Sequence, residues 1–119
     1  MIHIIITSYK EPKATLKAVR AFLDQKIKNK FKIIVVDPFP ETENFLKKNL
    51  KNKNIEFFLD PGEGKSYALN ILFQENTSEN KEDIFILTDG DVYVSKNSIS
   101  EILKKFKNKE VGCVTGKPV

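Results

Sequence analysis

Residues 2–27 read "IHIIITSYKEPKATLKAVRAFLDQKI". The run "IHIII" (2–6) is too short for a helix and rich in β-branched residues, which makes it a strand. Pro12 then suits a first helical turn, and Leu16, Val19, Leu23 and Ile27 form an apolar stripe along residues 11–28. A strand feeding a helix is half of a parallel crossover unit, and the pattern recurs. "FKIIVV" (31–36), "IEFFL" (55–59), "IFIL" (84–87) and "VGCV" (111–114) are further strand-sized apolar runs. Between them, Thr42 stands where it would cap a short helix through Leu50, and Leu69, Leu72 and Phe73 mark a helix near 64–75. Ser98 and Glu101 make a capping box ahead of Ile99, Ile102, Leu103 and Phe106.

The resulting order, βαβαβαβαβ, predicts a parallel sheet covered by helices on both faces, with right-handed crossovers. Three of the strands are nearly continuous in apolar character, which implies burial on both faces. No linker or repeat interrupts the pattern, so residues 1–119 are expected to form a single α/β domain. The composition, 40% hydrophobic and 30% charged, is ordinary for a globular protein. No run is long enough to span a membrane, and nothing around "IHIII" resembles a signal peptide. The only cysteine, Cys113, lies in an apolar run and reads as a buried thiol in a reducing, cytoplasmic setting.

The formal charge of +4 comes almost entirely from lysine, since Arg20 is the only arginine. The densest groups, Lys47-Lys48 to Lys53 and Lys104-Lys105 to Lys109, fall at the ends of expected helices, where the helix dipole favours cations. They read as solvated faces. No aromatic residues interleave with them, so no nucleic-acid partner is expected. The mild basic excess suits a phosphate-bearing ligand, or peripheral contact with the anionic inner face of a membrane.

In open parallel sheets, ligands bind beyond the carboxyl ends of the strands, near the reversal of strand order. Beyond the first strand lie Thr7 to Glu11, beyond the second Asp37, beyond the third Asp60 to Lys65, and beyond the fourth Thr88-Asp89-Gly90-Asp91. Two readings compete. "GEGKS" (62–66) invites a phosphate loop and hence an ATP-binding protein, with "IFILTD" as the magnesium-bearing strand. That loop needs glycine where Leu59 stands, and Pro61 removes an amide from the cradle.

The other reading starts from Asp89-Gly90-Asp91. Two carboxylates one residue apart beyond a buried strand can aim hard oxygens at a divalent cation that in turn holds a diphosphate. Gly90 is expected to let the backbone turn sharply and to leave room for the ligand. An ordinary acidic turn is the plainer account of the same triplet. Asp37 is either an acceptor for a base or ribose or a turn-forming residue before Pro38. Tyr9 can pack on a base, with Thr7 beside it, or both merely shape the loop. Lys65 can approach a diphosphate or be a solvated lysine at a helix start. Glu11 is a site residue or a first-turn carboxylate favoured by the helix dipole.

Taken in order, "IIITSYKE", "IIVVD", "GEGKSYALN", "IFILTDGDVYV" and "VGCVTGKPV" resemble the amino-terminal half of the family 2 glycosyltransferases, inverting enzymes of the GT-A fold. The resemblance implies a Rossmann-like nucleotide-binding domain, a nucleotide-sugar donor, commonly a UDP-sugar, and a Mn2+ or Mg2+ ion. It assigns Thr7, Tyr9, Glu11 and Asp37 to the nucleoside, and Lys65 to the donor pocket. Asp89 and Asp91 become the Asp-X-Asp pair, with Asp91 the firmer metal ligand and Asp89 nearer the ribose and diphosphate. Pro38 departs from the acidic or small polar residue that often follows the position of Asp37. The resemblance also implies that the chain stops before the acceptor site and the general base, so a truncated domain is expected. Glu63, Glu79 and Glu82 are available carboxylates, yet spacing recommends none as the base, and the catalytic residue stays unassigned. A sugar acceptor of unidentified nature is implied, as is pairing with a C-terminal half or with a second copy. The non-enzymatic alternative is a nucleotide-binding or scaffold domain.

Overall fold

Ile4, Ile5, Ile6, Ile33, Ile34, Val35 and Val36 are all essentially sealed from solvent. Strands this apolar can only sit in the middle of a sheet, with cover on both sides. The computed structural model places the elements in the order β1 (Ile2–Thr7), α1 (Pro12–Leu23), β2 (Phe31–Asp37) and α2 (Pro40–Asn49). They are followed by β3 (Ile55–Leu59), α3 (Lys65–Asn76), β4 (Ile84–Asp89) and α4 (Ser98–Phe106). The structure describes residues 1–25, 27–28, 30–76, 83–90, 92–108, 110 and 114. The expected fifth strand at 111–114 and Cys113 lie outside the described residues, Val114 apart.

All described strand pairings are parallel, and the order across the sheet is β3-β2-β1-β4. The chain builds outward from β1 to β3 and then returns to place β4 on the other side of β1. The reversal therefore lies between β1 and β4, where Thr7 pairs with Asp89. The central strands β1 and β2 bury both faces as expected, whereas β3 and β4, at the edges of the described sheet, are only partly covered.

Strand alternation divides the core in two. On one face Ile2, Ile4, Ile6, Ile33 and Val35 pack against Leu16, Val19 and Phe22 of α1, Leu46 of α2 and Ile99 of α4. On the other, Ile5, Ile34 and Val36 meet Ala68 and Leu72 of α3. Each large side chain buried in this way contributes about 1.5–3 kcal/mol. Lys47, Lys48, Lys104 and Lys105 lie in the last turns of α2 and α4, as the dipole argument requires. Among the described residues no helix is long and apolar enough to cross a membrane.

Three local expectations are corrected. Helix α1 ends at Leu23, short of residue 28, although Ile27 still packs on the same core from the following loop. Thr42 does not cap α2; the helix starts at Pro40 after Phe39, and the Thr42 hydroxyl donates to Asp37 instead. Nor does Ser98 form a capping box, since α4 begins after Asn97 with no side-chain cap, and Ser98 Oγ meets Ser95 Oγ at 2.9 Å.

What holds the start of α4 comes from elsewhere in the chain. Buried Gln25 accepts from the Ile99 N–H at 3.2 Å and donates to the Ser95 carbonyl at 2.6 Å. A distant side chain thus satisfies an amide that a local cap would otherwise take. Gln25→Ala is expected to cost about 1–3 kcal/mol by stranding these groups. Hydrogen exchange at the Ile99 amide should accelerate, and unchanged protection there would contradict this account.

Candidate functional site

A cavity of about 610 Å3 opens at the carboxyl ends of the strands, at the reversal point. That volume is in the range that small-ligand and cofactor sites occupy. Its wall includes Thr7, Tyr9, Glu11 and Asp89 from the expected set, together with Phe39, Asp60 and Gly90. Tyr9 is 71% exposed and meets the Phe39 ring edge-on at 5.1 Å. This leaves a large aromatic surface at the rim. Thr7 Oγ1 donates to Asp89 Oδ1 at 2.9 Å, tying the end of β1 to the end of β4. Glu11 is exposed and directly precedes Pro12 at the N-cap position, one step outside the first turn, and caps nothing with its side chain.

Asp37 is placed differently from its neighbours in the expected set. Only 5% exposed, it lies beneath the cavity and not on its wall. Its Oδ2 accepts from Ser8 Oγ at 2.5 Å, Thr42 Oγ1 at 2.8 Å and the Lys10 N–H at 3.0 Å, and its Oδ1 accepts from the Phe39 N–H at 2.7 Å. A buried carboxylate is tolerated only when donors replace its lost water, and here four do so. The geometry also explains Lys10, which takes a positive φ of 50° as its amide turns back toward Asp37. Asp37 therefore fixes the loop that carries Tyr9.

Gly90 has a reason to be glycine other than the one expected. It is absent from the positive-φ residues, which among the described glycines are Gly62 and Gly64. A Cβ on Gly90 would stand 2.9 Å from Thr15 Oγ1 and 3.2 Å from Ser8 Cβ, while its N–H donates to the Thr7 carbonyl at 2.7 Å. On the side where a Cβ would point the space is filled by Thr15 and Ser8, while Gly90 still lines the cavity. Gly90→Ala is expected to cost about 1–3 kcal/mol through overpacking. Chemical denaturation reads this directly, and an unchanged midpoint would contradict it.

"GEGKS" is not a phosphate loop beside its magnesium-bearing strand, although Gly62, Gly64 and Asp89 line the same cavity. Two strands, β2 and β1, separate β3 from β4, so the magnesium-bearing strand of a phosphate-loop protein is not beside the loop. The Gly62 N–H, moreover, is spent on Asp60 Oδ1 at 2.9 Å, an Asx turn in which positive φ at Gly62 and Gly64 takes the chain from β3 into α3. Lys65 is the first residue of α3. Glu63 is exposed in this turn, whereas Asp91, Glu79 and Glu82 lie outside the described residues.

Among the described residues no three His, Cys, Asp or Glu side chains gather as a self-sufficient metal site. The exposed Asp89 carboxylate fits a hard cation that takes one or two protein carboxylates and completes its shell with phosphate oxygens and water. Ser8 and Asp60 lie in the stretches expected at the strand ends but carry no role by residue type alone, and Thr15, Phe39 and Thr42 are not marked as site residues by it. Asp60 was the most accessible of these, since it follows β3 as Asp37 ends β2.

Residues 3–119 match the family described as Glycosyl transferase family 2. Among solved structures, TarS of S. aureus is similar over 99% of this chain at a TM-score of 0.64 and 19% identity. The chain spans 23% of the TarS chain, and at this identity the likeness shows a shared fold. No curated protein gives a significant match.

Proposed function

This chain belongs to glycosyl transferase family 2, and on that premise we propose that it is the donor-binding part of a glycosyltransferase, taking a nucleoside diphosphate sugar, a UDP-sugar in particular, with Mn2+ or Mg2+. The observation that carries this reading is the 610 Å3 cavity at the sheet reversal, walled by Thr7, Tyr9, Glu11 and Asp89 together. Tyr9, backed by Phe39, offers its ring to the base. Asp37 orders the loop beneath and so sets where that ring stands. Thr7 holds Asp89 at the diphosphate end. Asp91 and Asp89 would hold the cation, which when bound neutralises charge on the departing nucleoside diphosphate. Lys65 is assigned to the same diphosphate as a second positive charge. Activation of the acceptor is assigned to no residue of this chain. The net charge and single cysteine fit a cytoplasmic setting, with peripheral contact at the inner membrane face.

Titration of UDP, GDP and ADP in manganese tests the reading. UDP is expected to bind tightest, whereas equal affinity for all three would remove the uridine assignment, and no binding of any would remove the donor site.

A further inference from the structure

Six hydroxyl or carboxylate side chains form two hydrogen-bonded paths at the ends of β1, β2 and β4. In the longer one, Thr42 Oγ1 donates to Asp37 Oδ2, which also accepts from Ser8 Oγ; Ser8 Oγ lies 3.0 Å from Thr15 Oγ1. Thr15, fully buried, has one Oγ1 proton to donate and shares it between Ser8 Oγ and the Glu11 carbonyl, the latter at 2.8 Å. Its hydroxyl is then the atom that any Cβ at Gly90 would strike first, at 2.9 Å. The shorter path is Thr7 Oγ1 to Asp89 Oδ1, with the Gly90 N–H on the Thr7 carbonyl. The shorter path ends on the acidic turn, and the longer ends at Thr15, packed beside Gly90.

We infer that Thr42 and Thr15 are positioning residues that couple Asp37, on the base side of the cavity, to Asp89 and Gly90 on the metal side. Thr42 is buried and absent from the cavity wall, so it touches no ligand there. Its influence on the turn passes through Asp37, Ser8 and Thr15. Close packing makes such a path effective, because Gly90 has no free space beside Thr15 in which to absorb a shift. Hydroxyls that only fill the core would instead affect stability and leave the turn where it is. Outer groups that orient metal ligands typically contribute about 10–100-fold to metal affinity. Thr42 stands several bonds from the ligand carboxylates, which puts its effect at the lower end, about tenfold.

The inference rests on the donor-site reading for its ligand readout, but one arm of the test needs no ligand. Thr42→Val keeps the shape and deletes the hydroxyl, whereas Thr42→Ser keeps the hydroxyl. In amide NMR spectra of the ligand-free chain, Thr42→Val should move the Gly90 resonance and Thr42→Ser should restore it. In titrations with UDP and manganese, Thr42→Val should weaken binding about tenfold, with less effect when manganese is omitted, and Thr42→Ser should recover it. A lowered melting temperature with the Gly90 amide and the manganese-dependent affinity both unchanged would overturn the coupling and leave Thr42 a structural residue. Should Thr42→Val fail to fold, Thr15→Val is read in the same two ways and decides in the same directions. If the wild-type chain binds no UDP, the donor-site reading falls, while the Gly90 amide still decides the coupling.

Discussion

Asp37→Ala is expected to destabilise the chain by about 2–6 kcal/mol. The carboxylate accepts from Ser8, Lys10, Phe39 and Thr42, and each donor left dry costs about 1–3 kcal/mol. Lys10 is exposed, so water can reach its amide, but Thr42 is 1% exposed and the Phe39 amide faces the same buried group. Two dry donors already give the lower bound. A loss of this size is a large part of the stability of an ordinary domain, about 5–15 kcal/mol in total. Asparagine should rescue it in part. With its oxygen kept on the Phe39 N–H, its NH2 can donate to the Ser8 and Thr42 hydroxyls, which turn to accept, and only the Lys10 N–H then faces a donor. Urea unfolding of both variants checks this. Midpoints within about 0.5 kcal/mol of wild type, the range of an ordinary surface substitution, would show that Asp37 is not the organiser of the β1–α1 loop.

Much of this architecture was legible because it depends on runs of apolar residues. Ile2 to Ile6 and Ile33 to Val36 have no stable place except a sheet covered on both faces, and Asp89 at the end of "IFILTD" marks where chemistry can emerge. What sequence could not supply was the partner of each polar side chain. Thr42 has the residue type of a helix cap, yet Asp37, five residues earlier, takes its hydroxyl. Ser98 and Glu101 have the spacing of a capping box, yet the Ile99 amide in the first turn of α4 is served by Gln25 from a different part of the chain. Gly90 reads as a source of conformational freedom, yet its backbone needs none, and the crowding of Thr15 and Ser8 is the reason. In each case local propensity was outweighed by a contact distant in sequence. The gathering of Thr7 with Asp89 likewise required the strand order, since they are neighbours only because β4 crosses back beside β1.

Asp91→Ala is expected to have the largest effect on ligand binding. In the proposed site the Asp-X-Asp pair supplies the protein's hard oxygens to the cation, and a divalent ion bound through one or two carboxylates has little to replace a lost one. Loss of an outer, orienting group already costs about 10–100-fold in metal affinity, so loss of the firmer ligand should cost about 100-fold or more. The variant should retain the weak, metal-independent part of UDP binding, since Tyr9, Phe39 and the Asp37-ordered loop are untouched. Asp89→Ala should be milder in its metal dependence but should also release Thr7, whose hydroxyl donates to it. If Asp91→Ala bound UDP with the same response to manganese as wild type, the cation would have to be assigned elsewhere.

The central claim, that this cavity holds a nucleoside diphosphate through a divalent cation, is tested most directly by calorimetric titration of the wild-type chain with UDP, once in manganese and once in a chelator. The account predicts binding in both, tighter by about tenfold or more with manganese, as expected where the ion bridges carboxylate and diphosphate. Equal affinity in the two solutions, or no heat in either, would contradict it.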